Sequence, residues 1–196
     1  MLKIFFALCL TLSGCSRPTP VNINEGEDPV IGAEGDSRGF TPVECGYSVG
    51  DIACDFELPD ATGGVTHLYD FKGDVIVLDF STAWCYYCQI AALDVQTIQD
   101  AHIAEGFTYI TVLVEGFDRN PPTEDFLKEW ADHFGMTSAP VLGGDHALLD
   151  PTSEEGWLVE AWPTFYYLDR EMRIVEYQRG FSAEYLTAMI ESLLSN

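Results

Sequence analysis

The residues best suited to chemistry are Cys85 and Cys88, three apart within Trp84-Cys85-Tyr86-Tyr87-Cys88. They stand where a buried-strand pattern, Val75 to Phe80, hands over to a helical one. That handover puts one sulfur at a helix start and the other one turn along, close enough to join as a disulfide. Unpaired N–H groups and the positive end of the helix dipole favour thiolate over thiol at Cys85. Thiolate is the attacking species in disulfide exchange, so Cys85 is the expected nucleophile and Cys88 the thiol that resolves the mixed disulfide. The non-enzymatic alternatives are a permanently closed structural disulfide and a copper(I) carrier. Zinc is disfavoured, because it needs about four ligands and His67, His102, His133 and His146 are scattered along the chain. No resident metal and no organic cofactor is expected.

Asp79 lies six residues before Cys85, inside the apolar strand. A carboxylate is costly there unless paired or protonated. Burial should raise its pKa and let it exchange a proton with Cys88 during the reaction. The alternative is a half-exposed Asp at a strand end, bonded to backbone.

The elements that must hold these groups alternate in type. Val75 to Phe80 is a short, nearly continuous apolar run, as expected of a strand buried on both faces. Ala91, Val95, Ile98 and His102 then share a helical stripe, with Gly106 placed to stop it. Phe107 to Val114 is a second buried strand. Thr123, followed by Glu124 and Asp125, opens a helix expected to run to Phe134 and end at Gly135. Thr164 to Leu168 and Arg173 to Tyr177 read as a hairpin. Ser182 caps a last helix whose stripe is Leu186, Met189, Ile190, Leu193 and Leu194. This order implies an α/β domain, a central mixed sheet with helices on both faces.

With 196 residues, 47% of them hydrophobic, the chain can build one ordinary domain plus an appendage, which excludes a wholly disordered protein. Nine Lys and Arg against 32 acids give a net charge of −23, so nucleic acid and anionic lipid headgroups would repel it. Residues 1–14 show a basic start, the apolar run Ile4 to Leu12 and small residues, the layout of an export signal, too short to span a bilayer. Leu12-Ser13-Gly14-Cys15 resembles a bacterial lipoprotein signal, in which Cys15 is lipid-modified after cleavage. Ser16, where an Asp is absent, implies the outer membrane if the cell has two membranes. Residues 15–42, rich in Pro, Gly, Asn, Ser and acids, read as a tether, and 43–196 as the folded domain. About 25 tether residues give an r.m.s. reach of roughly 25 to 30 Å. The expected location is extracytoplasmic, on the periplasmic side, with the lipid as the only membrane contact.

From about Val49 to Leu194 the chain resembles the thioredoxin superfamily, in its tethered extracytoplasmic TlpA/ResA-like branch. The matching stretches are Val49-Gly50-Asp51-Ile52-Ala53 through Asp55-Phe56-Glu57-Leu58 with Gly63-Gly64, then Asp79 to Cys85, then Trp162-Pro163-Thr164-Phe165 through Asp169 to Ile174. The resemblance implies a thioredoxin-like fold and thiol-disulfide oxidoreductase activity. It further implies a cis peptide bond at Pro163 and a client-binding surface formed by Trp84, Tyr86, Tyr87, Trp162, Pro163 and Thr164. Thioredoxins carry an acid at the position of Asp79, whereas the TlpA/ResA branch more often has an amide. The branch commonly has Glu and Pro where this chain has Ala91 and Leu93, and Pro where it has Tyr87. Tyr86 and Tyr87 bring no positive charge to hold a thiolate, which favours a reductase or isomerase over a strong oxidase.

Cys45 and Cys54 form the second close pair, and Cys54 stands where relatives usually have Pro. Export permits a disulfide, and closing so short a loop contributes about 2.5 to 3 kcal/mol in the chain-entropy model. A second redox relay is the alternative. The acids, among them Glu124, Asp125, Asp145, Asp150, Glu154 and Glu155, suit a solvated face or a basic client protein. The expected partners are client proteins with disulfides or thiols, basic ones included, and an electron-donor or acceptor protein.

Overall fold

The structure, a computed structural model, describes residues 44–196; the expected signal peptide, Cys15 and the tether lie outside the described residues. A small antiparallel hairpin, β1 (Glu57–Pro59) and β2 (Val65–His67), precedes the main sheet. The main sheet is built from β3 (Val75–Thr82), β4 (Phe107–Glu115), β5 (Val141–Gly143), β6 (Thr164–Leu168) and β7 (Ile174–Arg179). Their spatial order is β5-β4-β3-β6-β7. β3 pairs parallel with β4 and antiparallel with β6, so the sheet is mixed and β3 is central. All eight residues of β3 are buried, as its unbroken apolar run requires.

Among the described residues four α-helices accompany the sheet: α1 (Tyr86–Ala92), α2 (Val95–His102), α3 (Glu124–Phe134) and α4 (Ala183–Leu194). Ala91, Val95, Leu127, Trp130, Leu186 and Ile190 from these helices share one cluster with Val75, Val77, Tyr109, Phe165 and Tyr167 of the sheet. The opposite face of the sheet has different cover. Trp157, 1% exposed, packs on Phe80 and Tyr166 with ring centroids 5.4 and 4.7 Å away. Leu148, in the 3-10 turn His146–Leu148, reaches the neighbourhood of Val112 at Gly144. The expected helical cover of both faces is thus divided, α-helices on one side and a 3-10 turn with aromatic packing on the other.

Local signals set the boundaries. The Thr123 hydroxyl accepts from the Phe126 amide, the first turn of α3 is acidic, and Gly135 ends it at φ 69°. The Ser182 hydroxyl accepts from the Tyr185 amide to open α4. The stripe expected as one helix up to Gly106 is interrupted: Leu93 and Asp94 bond back three residues, to Ile90 and Ala91, and α2 starts afresh at Val95. Asp is a poor interior helix residue and a good boundary one, which accounts for the break at this position. Among the described residues no helix is long and apolar enough to cross a membrane.

Candidate active site

β3 delivers the Cys pair to the end of the sheet and α1 carries it away. Cys85 is the N-cap residue of α1, in extended conformation, and its sulfur accepts from the Cys88 amide at 3.4 Å. A helix-start N–H, otherwise unpaired, is thereby aimed at the first sulfur. Both cysteines are free thiols and both are buried, Cys85 at 8% and Cys88 at 1% exposure. The Cys85 thiol also donates to the Trp162 carbonyl at 3.5 Å. Trp162-Pro163 is a cis peptide bond, so the loop before β6 meets the cysteine pair.

Asp79 is 1% exposed, which removes the half-exposed alternative for its position. Ser81 Oγ donates to Asp79 Oδ1 at 2.7 Å and Tyr109 Oη donates to Oδ2 at 3.4 Å. Burial pushes the Asp79 carboxyl up to about 7, against the two hydroxyls that favour its ionised form. Burial likewise raises the Cys88 thiol, the Asp79 charge raises it further, and its bond to Cys85 adds to both. Acid and thiol are thus both desolvated, and the Asp79 charge opposes ionisation of Cys88.

Around this centre the client-facing residues fall in different places. Tyr86 and Tyr87 stand 67% and 59% exposed beside the buried sulfurs. Trp84 is half-buried, Pro163 is buried, and Thr164 is fully buried with its hydroxyl turned to the Ala161 carbonyl. Among the described residues no group of three or more His, Cys, Asp or Glu is placed to hold a metal.

Sequence reasoning missed several residues here. Trp84 Nε1 donates to Glu115 Oε2 at 2.5 Å, and His146 Nε2 is 2.7 Å from Oε1. The Arg119 guanidinium lies 4.0 Å from the centre of the Trp84 ring. Burial works against the Glu115 carboxylate, yet its bonds from His146 and Trp84 outweigh that and hold it below the usual carboxylate range. A register shift makes this possible: Ser81 faces Leu113 but Thr82 faces Glu115. The one available signal was a charged residue ending an apolar strand run. Ser81 and Tyr109 gave no signal as partners of Asp79 until β3 and β4 were in register.

Cys45 and Cys54 are joined as a disulfide. Ala53, next to Cys54, bonds to the Met172 carbonyl in the turn between β6 and β7, at the end of β3 far from Cys85. Eight strand residues separate the two ends, roughly 25 Å.

Known proteins resemble the chain in sequence and fold. The thioredoxin-like protein YneN of Bacillus subtilis (strain 168) is 24% identical over 132 residues, covering 67% of this chain and 72% of its own. A Chlorobium tepidum protein assigned as thiol:disulfide interchange protein DsbE superposes with a TM-score of 0.59 at 27% identity, covering 76% of this chain and 99% of its own. The exposed lipoprotein thioredoxin Etrx1 of Streptococcus pneumoniae strain TIGR4 gives 0.55 at 27% identity, over 70% of this chain and 99% of its own. The family model of AhpC/TSA matches residues 49–176, from the approach to the hairpin through the first half of β7. By that match and by its fold, the chain is a thioredoxin-like member of the AhpC/TSA family.

Proposed function

We propose that this thioredoxin-like thiol-disulfide oxidoreductase exchanges disulfides with client proteins through Cys85 and Cys88, acting as a reductase or isomerase from a lipid tether. The Cys85 thiolate attacks one sulfur of a client disulfide, forming a mixed disulfide and releasing the other client sulfur as a thiolate. Cys88 gives its proton to Asp79 and attacks Cys85, which leaves the client as a dithiol and the pair as a disulfide. Two electrons pass from the pair to the client, and an electron-donor protein must return them.

The observation that carries this reading is the convergence on one sulfur. Cys85 receives the Cys88 amide and touches the Trp162 carbonyl of the cis-proline loop, while buried Asp79 lies behind Cys88. The preference for reduction rests on Tyr86 and Tyr87, the two residues between the cysteines, which bring no positive charge that would favour the dithiol over the disulfide. Tethering at Cys15, with residues 1–14 removed and 15–42 as spacer, rests on the signal-like sequence. The exposed lipoprotein relative from Streptococcus pneumoniae is consistent with it. The Cys45–Cys54 bond is assigned a structural role, because it lies at the wrong end of the sheet to pass electrons to Cys85 within one molecule.

Turnover of a disulfide-containing test protein with a dithiol reductant tests the reading. The parent should accelerate reduction and Cys85→Ser should not. Equal rates for both would reject the enzyme and favour a scaffold; stoichiometric retention of copper(I) by the inert protein would favour a carrier.

A further inference from the structure

Against α1, the helix that carries the cysteine pair, α3 and the loop after β4 enclose an aromatic groove of about 250 Å³. Gln89 of α1, Phe117 of the loop after β4, and Phe126, Glu129, Trp130, His133 and Phe134 of α3 line it. Phe126 meets Phe117 edge-on with centroids 5.8 Å apart, and Trp130 meets Phe134 at 4.6 Å. Phe117 is 63% exposed at the rim, an arrangement that leaves a large apolar ring in water. The volume falls below the roughly 300 to 1,000 Å³ usual for small-molecule sites, and suits one inserted side chain.

The groove is joined to the redox pair through two connections. Gln89 lies one helical turn beyond Cys85, about 6 Å along the axis, and its amide donates to the Ala83 carbonyl. The loop that bears Phe117 is clamped to Trp84 from both ends, by Glu115 before it and Arg119 after it. A polypeptide whose sulfur is bonded to Cys85 therefore has the groove within a few residues' reach.

Charge selects the polypeptide. Glu129 lines the groove, and Glu124 and Asp125 occupy the first turn of the same helix. Among the described residues none of the three forms an ion pair: Arg119 is stacked on Trp84, Lys128 is bonded to Asp132 at 2.6 Å, and the His133 ring meets Phe134 edge-on at 4.7 Å. An incoming Lys or Arg would meet unneutralised carboxylates beside an apolar slot.

We propose that this groove is a client-specificity site that takes an aromatic or large aliphatic side chain, flanked by Lys or Arg, from the segment carrying the client's reactive cysteine. The proposal rests on the exchange activity inferred above and names the class of client.

The test uses the reduced full chain and synthetic peptides whose single Cys is capped by 2-mercaptoethanol as a mixed disulfide. One peptide carries Phe and Lys near the Cys, a second has Ala for Phe, and a third has Glu for Lys. The neutral 2-hydroxyethyl disulfide reports exchange alone. The parent should react roughly tenfold faster with the first peptide than with the second, and Phe117→Ala should bring that ratio near one. The first peptide should also outpace the third, by a margin that shrinks in high salt, and Glu129→Lys should reverse that order. Equal rates for all three peptides with the parent, or ratios retained in both variants, would overturn the proposal. So would a parent dimer that Phe117→Ala dissolves, which would assign the groove to a second copy of the chain. Failure to react even with 2-hydroxyethyl disulfide would instead refute the exchange activity, a result distinct from loss of selectivity.

Discussion

The Ser81 hydroxyl donates to Asp79 Oδ1 at 2.7 Å, holding a fully buried carboxyl whose charge acts on the resolving cysteine. The bond favours the ionised form, but burial is the larger effect and the acid titrates at about 7. Below that pH Asp79 is protonated and cannot take the Cys88 proton; above it the carboxylate can. The resolving step should therefore accelerate as pH rises through 7. In Asp79→Asn that inflection should vanish and turnover at pH 8 should fall roughly a hundredfold. A pH-rate profile of test-disulfide reduction from pH 5.5 to 9 checks this, and an inflection that survives would remove Asp79 from proton transfer.

The same acid links stability to pH. Its folded value of about 7 lies above the ordinary value of 3.8, so the folded state holds the proton more tightly than the unfolded chain does. The favourable contribution is complete below pH 4 and lost as pH rises through 7. Asp79→Asn should thus be more stable than the parent at pH 8, by on the order of 4 kcal/mol, with the gain fading toward pH 4. Denaturant melts of the reduced proteins at both pH values measure the difference.

Trp84 is fixed by a bond to a carboxylate, worth about 1.5 to 3 kcal/mol for a charged acceptor. Glu115→Ala should shift and broaden the Trp84 indole N–H resonance and slow protein-disulfide exchange a few-fold. An unmoved resonance would show that Glu115 does not position the ring.

The Cys45–Cys54 bond closes a loop with a sequence separation of 9. Replacing both residues by Ser should lower stability by about 2.5 to 3 kcal/mol. Exchange at Cys85 should continue at the parent rate in conditions where the variant is folded. Loss of exchange in the folded variant would point to the relay alternative.

Much of this architecture was legible before any coordinates. Val75 to Phe80 and Phe107 to Val114 are nearly continuous apolar runs, and Thr123, Gly135 and Ser182 are strong end signals, so β3, β4, α3 and α4 could be read directly. Strands of three residues carry no usable period, which hid β1, β2 and β5. The break between α1 and α2 was masked by a helical stripe that runs on across it. Within the site, Cys85, Cys88 and Asp79 were marked by residue type against an apolar background. Glu115, Arg119, His146, Ser81 and Tyr109 were not, because each acquires its partner only through sheet register or loop closure. Trp157 was likewise silent: its burial against Phe80 and Tyr166 depends on a loop without regular structure.

The central claim is that Cys85 attacks and Cys88 resolves. A Cys88→Ser protein, reduced and then mixed with a disulfide-bonded test protein, should accumulate a covalent adduct that peptide mapping places on Cys85, while Cys85→Ser should give none. An adduct carried by Cys88 in the Cys85→Ser protein, with none on Cys85 in Cys88→Ser, would contradict the account.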